Sequence, residues 1–209
     1  MPAAVLTQAS LTEGLRYLSE RDADLAQVLA DLGAPPMWSR EPGFPTLVHI
    51  ILEQQVSLAS ARAAFNRLLA AASPLTPQRF LELDDTSLKT IGFSRQKTTY
   101  SRHLAESIVQ GRLSLDKLEG MEDETARSAL LQIKGIGPWT ADIYLLMALR
   151  RPDVWPSGDL ALAKAVQEVK KLPTYPSPDQ LNEIAQSWQP WRAIAARLLW
   201  HHYLSKGRA

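Results

Sequence analysis

The run Lys134-Gly135-Ile136-Gly137-Pro138 leaves the backbone little freedom. Two glycines flanking one isoleucine permit a tight turn that a ligand can approach closely, because neither carries a Cβ and positive φ costs them little. Pro138 suits the first position of a helix, where its fixed φ is already helical and its missing N–H costs no bond. Upstream, Ala126, Leu130 and Ile133 recur at helical spacing from a start at Asp123, and downstream Ile143, Leu146, Met147 and Leu149 form an inward face of a helix over 139–150. The pattern is helix, glycine hairpin, helix. N–H groups at the start of the second helix make an anion site. Lys134, Gly135, Ile136, Gly137 and Thr140 are therefore candidates for contact with a nucleic-acid backbone, which such contacts position without reading. An ordinary glycine turn between packed helices is the other reading of the same residues.

The rest of the chain reads as helix after helix, with no convincing alternating strand. Leucines and valines from Leu11 to Leu32 predict one amphipathic opening helix, followed by a proline-rich loop over 33–43. A helix over 47–52 ends near Gln54-Gln55, and Ser57 caps another over 58–72. Thr76-Pro77 opens a short helix to Leu83, and Asp85 caps one that stops at Gly92. Ser94 caps a longer helix closed by Gly111, in the place of a left-handed residue, and a brief one follows over 114–120. Asp159 opens a helix to Lys171, Ser177-Pro178 one to Trp188, and Pro190 one to about Tyr203. Such a chain predicts an all-α fold of two helical lobes meeting at a cleft, large enough for a substantial core.

Composition narrows the chemistry. There is no cysteine in the 209 residues, which excludes disulfides, thiolate metal sites, cysteine nucleophiles and an iron–sulfur cluster. No apolar run approaches the length of a membrane span, and residues 1–11 lack the pattern of a signal peptide, so a cytoplasmic, nucleoid-associated protein is expected. Net charge is only +1, but its distribution is uneven. Acids outnumber bases from Thr12 to Glu53, whereas Ser187 to Ala209 holds Arg192, Arg197, His201, His202, Lys206 and Arg208 without an acid. Arg95, Lys97 and Arg102 form a second basic stretch. A neutral average can hide a basic face, although each cation taken singly reads as a solvated helix surface.

Asp159 follows Val154-Trp155-Pro156-Ser157-Gly158. A lone aspartate at a helix start is ordinarily a cap. Its place after the hairpin is what changes the reading. The hairpin, its Gly-Pro turn and this aspartate together resemble the helix-hairpin-helix DNA glycosylase superfamily, and within it the branch of bacterial 3-methyladenine DNA glycosylase II. The similarity runs from about Pro42 to Tyr203. It implies one glycosylase domain over 1–209, without the additional α/β domain of the best-known member. Its lobes would comprise about 36–110 and, against it, 1–35 with 111–209.

The resemblance assigns Asp159 as the catalytic carboxylate. Breaking an N-glycosidic bond builds positive charge on the deoxyribose, which a fixed anion stabilises while it can take a proton from incoming water. Helix amides sit favourably beside its negative charge, which favours an electrostatic role. Strand-cutting members carry a lysine where this chain has Trp139, so the resemblance implies a monofunctional enzyme without a Schiff base. Trp139, Trp191, Trp38 and Tyr144 are the expected walls of a base pocket. Gln55, with Gln54, matches the segment that inserts a wedge, and a helix-end cap by two amides is the alternative. Family members also hold a monovalent cation on hairpin carbonyls, here those of Leu131, Ile133 and Ile136, so a structural Na+ or K+ is expected and no other cofactor. The expected partner is double-stranded DNA with damaged bases, above all alkylated purines, and the chain is expected to act as a monomer. A non-catalytic binder of DNA structure, and an oxidised-base glycosylase with lyase activity, are the rival readings.

Overall fold

A computed structural model describes residues 4–207, and Arg208 of the basic C-terminal segment lies outside them. Thirteen helices and no strand occur among the described residues, which fall into two compact units.

The first unit, Arg40–Ala148, holds α3 (Phe44–Glu53), α4 (Leu58–Ala71), α5 (Pro77–Glu82), α6 (Asp85–Ile91), α7 (Arg95–Val109), α8 (Leu115–Leu118), α9 (Asp123–Leu131) and α10 (Pro138–Met147). α1 (Gln8–Arg21), α2 (Ala23–Leu32), α11 (Leu160–Val169), α12 (Pro178–Gln186) and α13 (Arg192–Ser205) make the second, from Ala4–Ser39 and the chain after Ala148. The boundary thus falls after α10 instead of near residue 110. Apolarity explains the difference. α10 packs on both α9 and α3, and every residue from Thr140 to Leu146 is buried, so the hairpin belongs to the core of the first unit. A helix that is buried all round has no single inward stripe, and the face expected from Ile143, Leu146, Met147 and Leu149 was too narrow.

Local sequence places the helix ends. Ser57, Thr76, Ser94 and Ser177 each accept an N–H of the first turn through the side-chain oxygen, as expected of such caps. Asp84 caps α6, one residue before the expected Asp85. The opening helix is two helices, because Asp22 closes α1 in an extended conformation and caps α2, its carboxylate accepting the Asp24 and Leu25 amides. The last helix starts at Arg192, with Trp191 in the cap position, instead of at Pro190.

Most cations of the two basic stretches are engaged within their own unit. Arg192 pairs with Asp153 through two nitrogens (3.0 and 2.9 Å), and Lys206 meets Glu168 at 3.1 Å. Arg197 is fully buried and donates to the carbonyls of Met37 and Ala193, and burial pushes its guanidinium down to about 10. Arg102 bonds Asp85 and the Leu83 carbonyl. Arg192, Arg197 and Lys206 are thus taken up by partners within the second unit. Lys134 and Arg95 are exposed.

Candidate functional site

In the hairpin, the two glycines serve different ends. Gly135 has φ +95°, and a Cβ there would lie 2.2 Å from Cγ of Tyr100, so both backbone and space require glycine. Gly137 has φ −91° and open space where a Cβ would stand. Nothing inside the protein requires glycine at 137. The Ile136 amide donates to the Ile133 carbonyl at 2.9 Å and closes the turn. Pro138 opens α10, and no side chain caps that start. The two helices are joined by an Arg127–Asp142 pair at 2.7 Å, in which Asp142 is buried.

Thr140 and Gln54 depart from their expected roles. The Thr140 hydroxyl is buried and accepts from Gln54 Nε2 at 3.0 Å, so it is taken up inside the unit instead of facing a phosphate. Gln54 Nε2 also donates to the Gly135 carbonyl at 3.1 Å, which ties it to the hairpin and removes it from the wedge. Gln55 differs. It is exposed at the end of α3 with φ +57°, beside exposed Val56 and Leu58. An open groove borders it, lined by Gln55, Val56, Lys97, Tyr100 and the hairpin from Gly135 to Gly137.

Asp159 lies in the second unit. It caps α11, with Oδ1 accepting the Leu162 amide at 2.8 Å and Trp200 Nε1 at 3.2 Å. Its side chain is thus held by its own helix and by α13. The preceding loop is fixed as well. Asp153 accepts from both the guanidinium and the backbone amide of Arg192, and the Ala193 amide donates to the Pro152 carbonyl. Trp200 is buried in α13, and its role as a donor to Asp159 has no local signature in sequence.

Of the four expected pocket aromatics, Tyr144 is not one. It is wholly buried, its hydroxyl accepts the Gly43 amide at 3.0 Å, and burial pushes the phenol up to about 12. It is a core residue of the first unit. Trp139, Trp191 and Trp38 are each half-buried. Trp191 packs against Gly14, where a Cβ would lie 3.0 Å from its ring. Trp38 adopts φ +45° and meets His201 edge-on at 6.3 Å between ring centres.

No cluster of three or more histidine, cysteine, aspartate or glutamate side chains able to hold a metal occurs among the described residues. A monovalent cation on carbonyls needs none of these. The Ile133 oxygen, which accepts the Ile136 amide, keeps a second lone pair. Among the described residues no helix is long and apolar enough to cross a membrane.

Known proteins resemble this arrangement. Residues 48–190 match the HhH-GPD superfamily base excision DNA repair protein family. The chain is 28% identical to DNA-3-methyladenine glycosylase 1 of Schizosaccharomyces pombe, over 91% of this chain and 87% of that protein. It is 29% identical to a DNA-3-methyladenine glycosylase of Bacillus subtilis, over 75% of this chain and 56% of the relative, so it spans little more than half of that protein. The solved structure of the Schizosaccharomyces pombe 3-methyladenine DNA glycosylase in complex with abasic DNA matches with a TM-score of 0.85 at 27% identity, covering 90% of this chain and 95% of that one.

Proposed function

Because the chain belongs to the HhH-GPD superfamily of base excision DNA repair proteins, we propose that it is a monofunctional DNA glycosylase that releases alkylated purines from duplex DNA, of the 3-methyladenine and 7-methylguanine class. The observation that carries this reading is Asp159, a carboxylate held at the head of α11 by one backbone amide and one indole N–H. A carboxylate fixed in this way is preorganised for charge that develops on a sugar, and needs no rearrangement at the moment of reaction.

The chemistry balances without a cofactor. The C1′–N bond breaks, and an N3- or N7-alkylated purine, already cationic, leaves as a neutral base with the electron pair. Asp159 stabilises the positive deoxyribose. Water then adds to C1′, its oxygen remaining on the sugar and its proton passing to the Asp159 carboxylate, which leaves an abasic site. Trp139 supplies no amine, so no covalent intermediate with the sugar forms through that position.

Lys134, Gly135, Ile136 and Gly137 hold the DNA backbone in this reading, with Na+ or K+ on the carbonyls of Leu131, Ile133 and Ile136 adding positive charge near the phosphates. Flipping the lesion out of the stack costs a few kcal/mol, and Gln55 fills the gap that is left. Trp191 and Trp38, half-buried in the same unit as Asp159, are the walls that receive the base in this reading. A cation–π contact with each contributes about 0.5–2 kcal/mol, a modest discrimination. The enzyme works as a monomer on nucleoid DNA.

Chromatography of bases released from methylated duplex DNA tests the proposal. Free 3-methyladenine or 7-methylguanine is expected, with no strand cleavage and no adduct trapped by borohydride. DNA bound with no base released would leave a binding module, and a trapped adduct would make the chain a lyase.

A further inference from the structure

The residues that flank Gln55 are held from several sides within the first unit. Leu52 lies in the last turn of α3, where its carbonyl accepts Lys97 Nζ at 2.6 Å. Glu53 is clamped by Arg40 through two nitrogens at 3.0 and 2.8 Å. Gln54 places one proton of its amide on the Gly135 carbonyl and the other on the Thr140 hydroxyl. One of these acceptors lies within the Gly-Ile-Gly turn and the other in the first turn of α10. Gln55 then adopts φ +57°, a conformation that a residue with a Cβ keeps only where its surroundings impose it.

From this geometry we infer that Gln54 is a positioning residue, a strut that sets the exposed Gln55 loop against the hairpin so that the phosphate grip and the strand-intruding tip move as one piece. The inference rests on the glycosylase reading and deepens it. A wedge can keep a nucleotide unstacked only if it does not recoil. Recoil is prevented where the loop is fastened to the element that grips the phosphates of the same duplex. The bonded groups suit the task, since the Thr140 hydroxyl is buried and depends on Gln54 for a partner. The groove bordered by Gln55, Val56, Tyr100 and Gly137 follows from the same tie, which fixes its two rims at one spacing.

The test compares Gln54→Leu and the double variant Gln54→Leu/Thr140→Val with wild type, using duplexes that carry 2-aminopurine beside a tetrahydrofuran abasic analogue. Its readout is the fluorescence gain on binding, which reports unstacking and needs no catalysis. Gln54→Leu is expected to lower that gain by at least about tenfold, since both hydrogen bonds to the hairpin are lost from the intruding state. Affinity for undamaged duplex should stay within about twofold, because the backbone contacts remain. Gln54→Leu leaves the Thr140 hydroxyl unpaired, and the double variant removes that hydroxyl as well, while the Gly135 carbonyl loses its Gln54 donor in both. The double variant should therefore recover thermal stability while the unstacking defect persists. A wild-type fluorescence gain in Gln54→Leu overturns the strut. So does a defect that disappears with restored stability. If no base is released from methylated DNA by wild type, the glycosylase reading falls, yet the fluorescence arms still decide the role of Gln54.

Discussion

Two helix starts, those of α10 and α11, solve the same electrostatic problem in opposite ways. Each offers amides that lack partners within the helix and a positive dipole end. α11 meets them with its own carboxylate, since Asp159 accepts the Leu162 amide and is steadied by Trp200. α10 has no side-chain cap, begins with Pro138, and is preceded by Gly137, where the space for a Cβ is open. A start with its own anion presents negative charge, and a start without one leaves its amides open to negative charge from outside. In the proposed function the contrast separates chemistry from holding. It also states what must happen when either is altered.

The largest effect is expected at α11. Asparagine caps about as well as aspartate, so Asp159→Asn should leave the helix and its melting temperature nearly unchanged. Base release should fall by about 100- to 1000-fold, the range for loss of one preorganised electrostatic group, with duplex binding retained. Near-normal release from methylated DNA, followed by chromatography, would sink the assignment. The hairpin glycines come second, because they differ in what they touch. Gly135→Ala should cost about 2–3 kcal/mol of stability, from left-handed strain and displacement of the Tyr100 ring. Gly137→Ala should stay within about 0.5 kcal/mol of wild type in thermal unfolding, as at an unstrained surface position. Its effect should appear as several-fold weaker duplex binding in a filter or fluorescence assay, since a methyl group stands in the path of the phosphate. Equal melting curves for the two variants would erase the distinction.

How much of this was legible follows from how far apart the partners are. Ser57, Thr76, Ser94 and Ser177 were readable as caps because the amides they accept lie three residues on. The hairpin was readable because glycine and proline act on their own backbone. The break at Asp22 was not, since Leu18 and Leu25 keep helical phase across it. The cap itself is local, on the Asp24 and Leu25 amides, but the Lys170 and Trp188 bonds that also hold the carboxylate come from far along the chain. The basic C-terminal segment misled for the same reason. Its opposing acids, Asp153 and Glu168, are absent from the window in which its charge was counted. Asp159 itself was visible through its motif. Its indole donor was not, because Trp200 carries no mark that separates it from the other buried tryptophans.

That indole tests whether the α11 carboxylate must be aimed as well as present. Trp200→Phe keeps an aromatic ring in the core and removes the N–H that reaches Asp159 Oδ1. Loss of one orienting hydrogen bond should lower the single-turnover rate of base release about tenfold, with little change in lesion affinity. A fall in affinity with an unchanged rate would mean that Trp200 shapes the binding surface and does not steady the acid.

The smallest effect belongs to a third helix start, that of α2, which shows what a capping carboxylate does when it is purely structural. Asp22 accepts two amides, Trp188 Nε1 at 2.7 Å and Lys170 Nζ at 2.6 Å. Burial opposes its ionisation, but the bonds from Lys170, Trp188 and Leu25 outweigh that and hold the carboxyl below its ordinary range. The unfolded chain therefore takes up this proton more readily than the folded one. The stabilisation is present above the ordinary aspartate value, about pH 4, and is lost as pH falls through the lowered folded value. Lys170 reports the same bond from the other side. Burial works against its charge, yet Asp22 and Asp24 raise it, so its share persists until pH climbs through the raised value. Asp22→Asn should cost about 1–2 kcal/mol near pH 7 and flatten the acid limb of stability in urea unfolding below about pH 4. Base release per folded molecule should be unchanged. If it fell as it does in Asp159→Asn, the separation between a carboxylate that only caps and one that also acts would be lost.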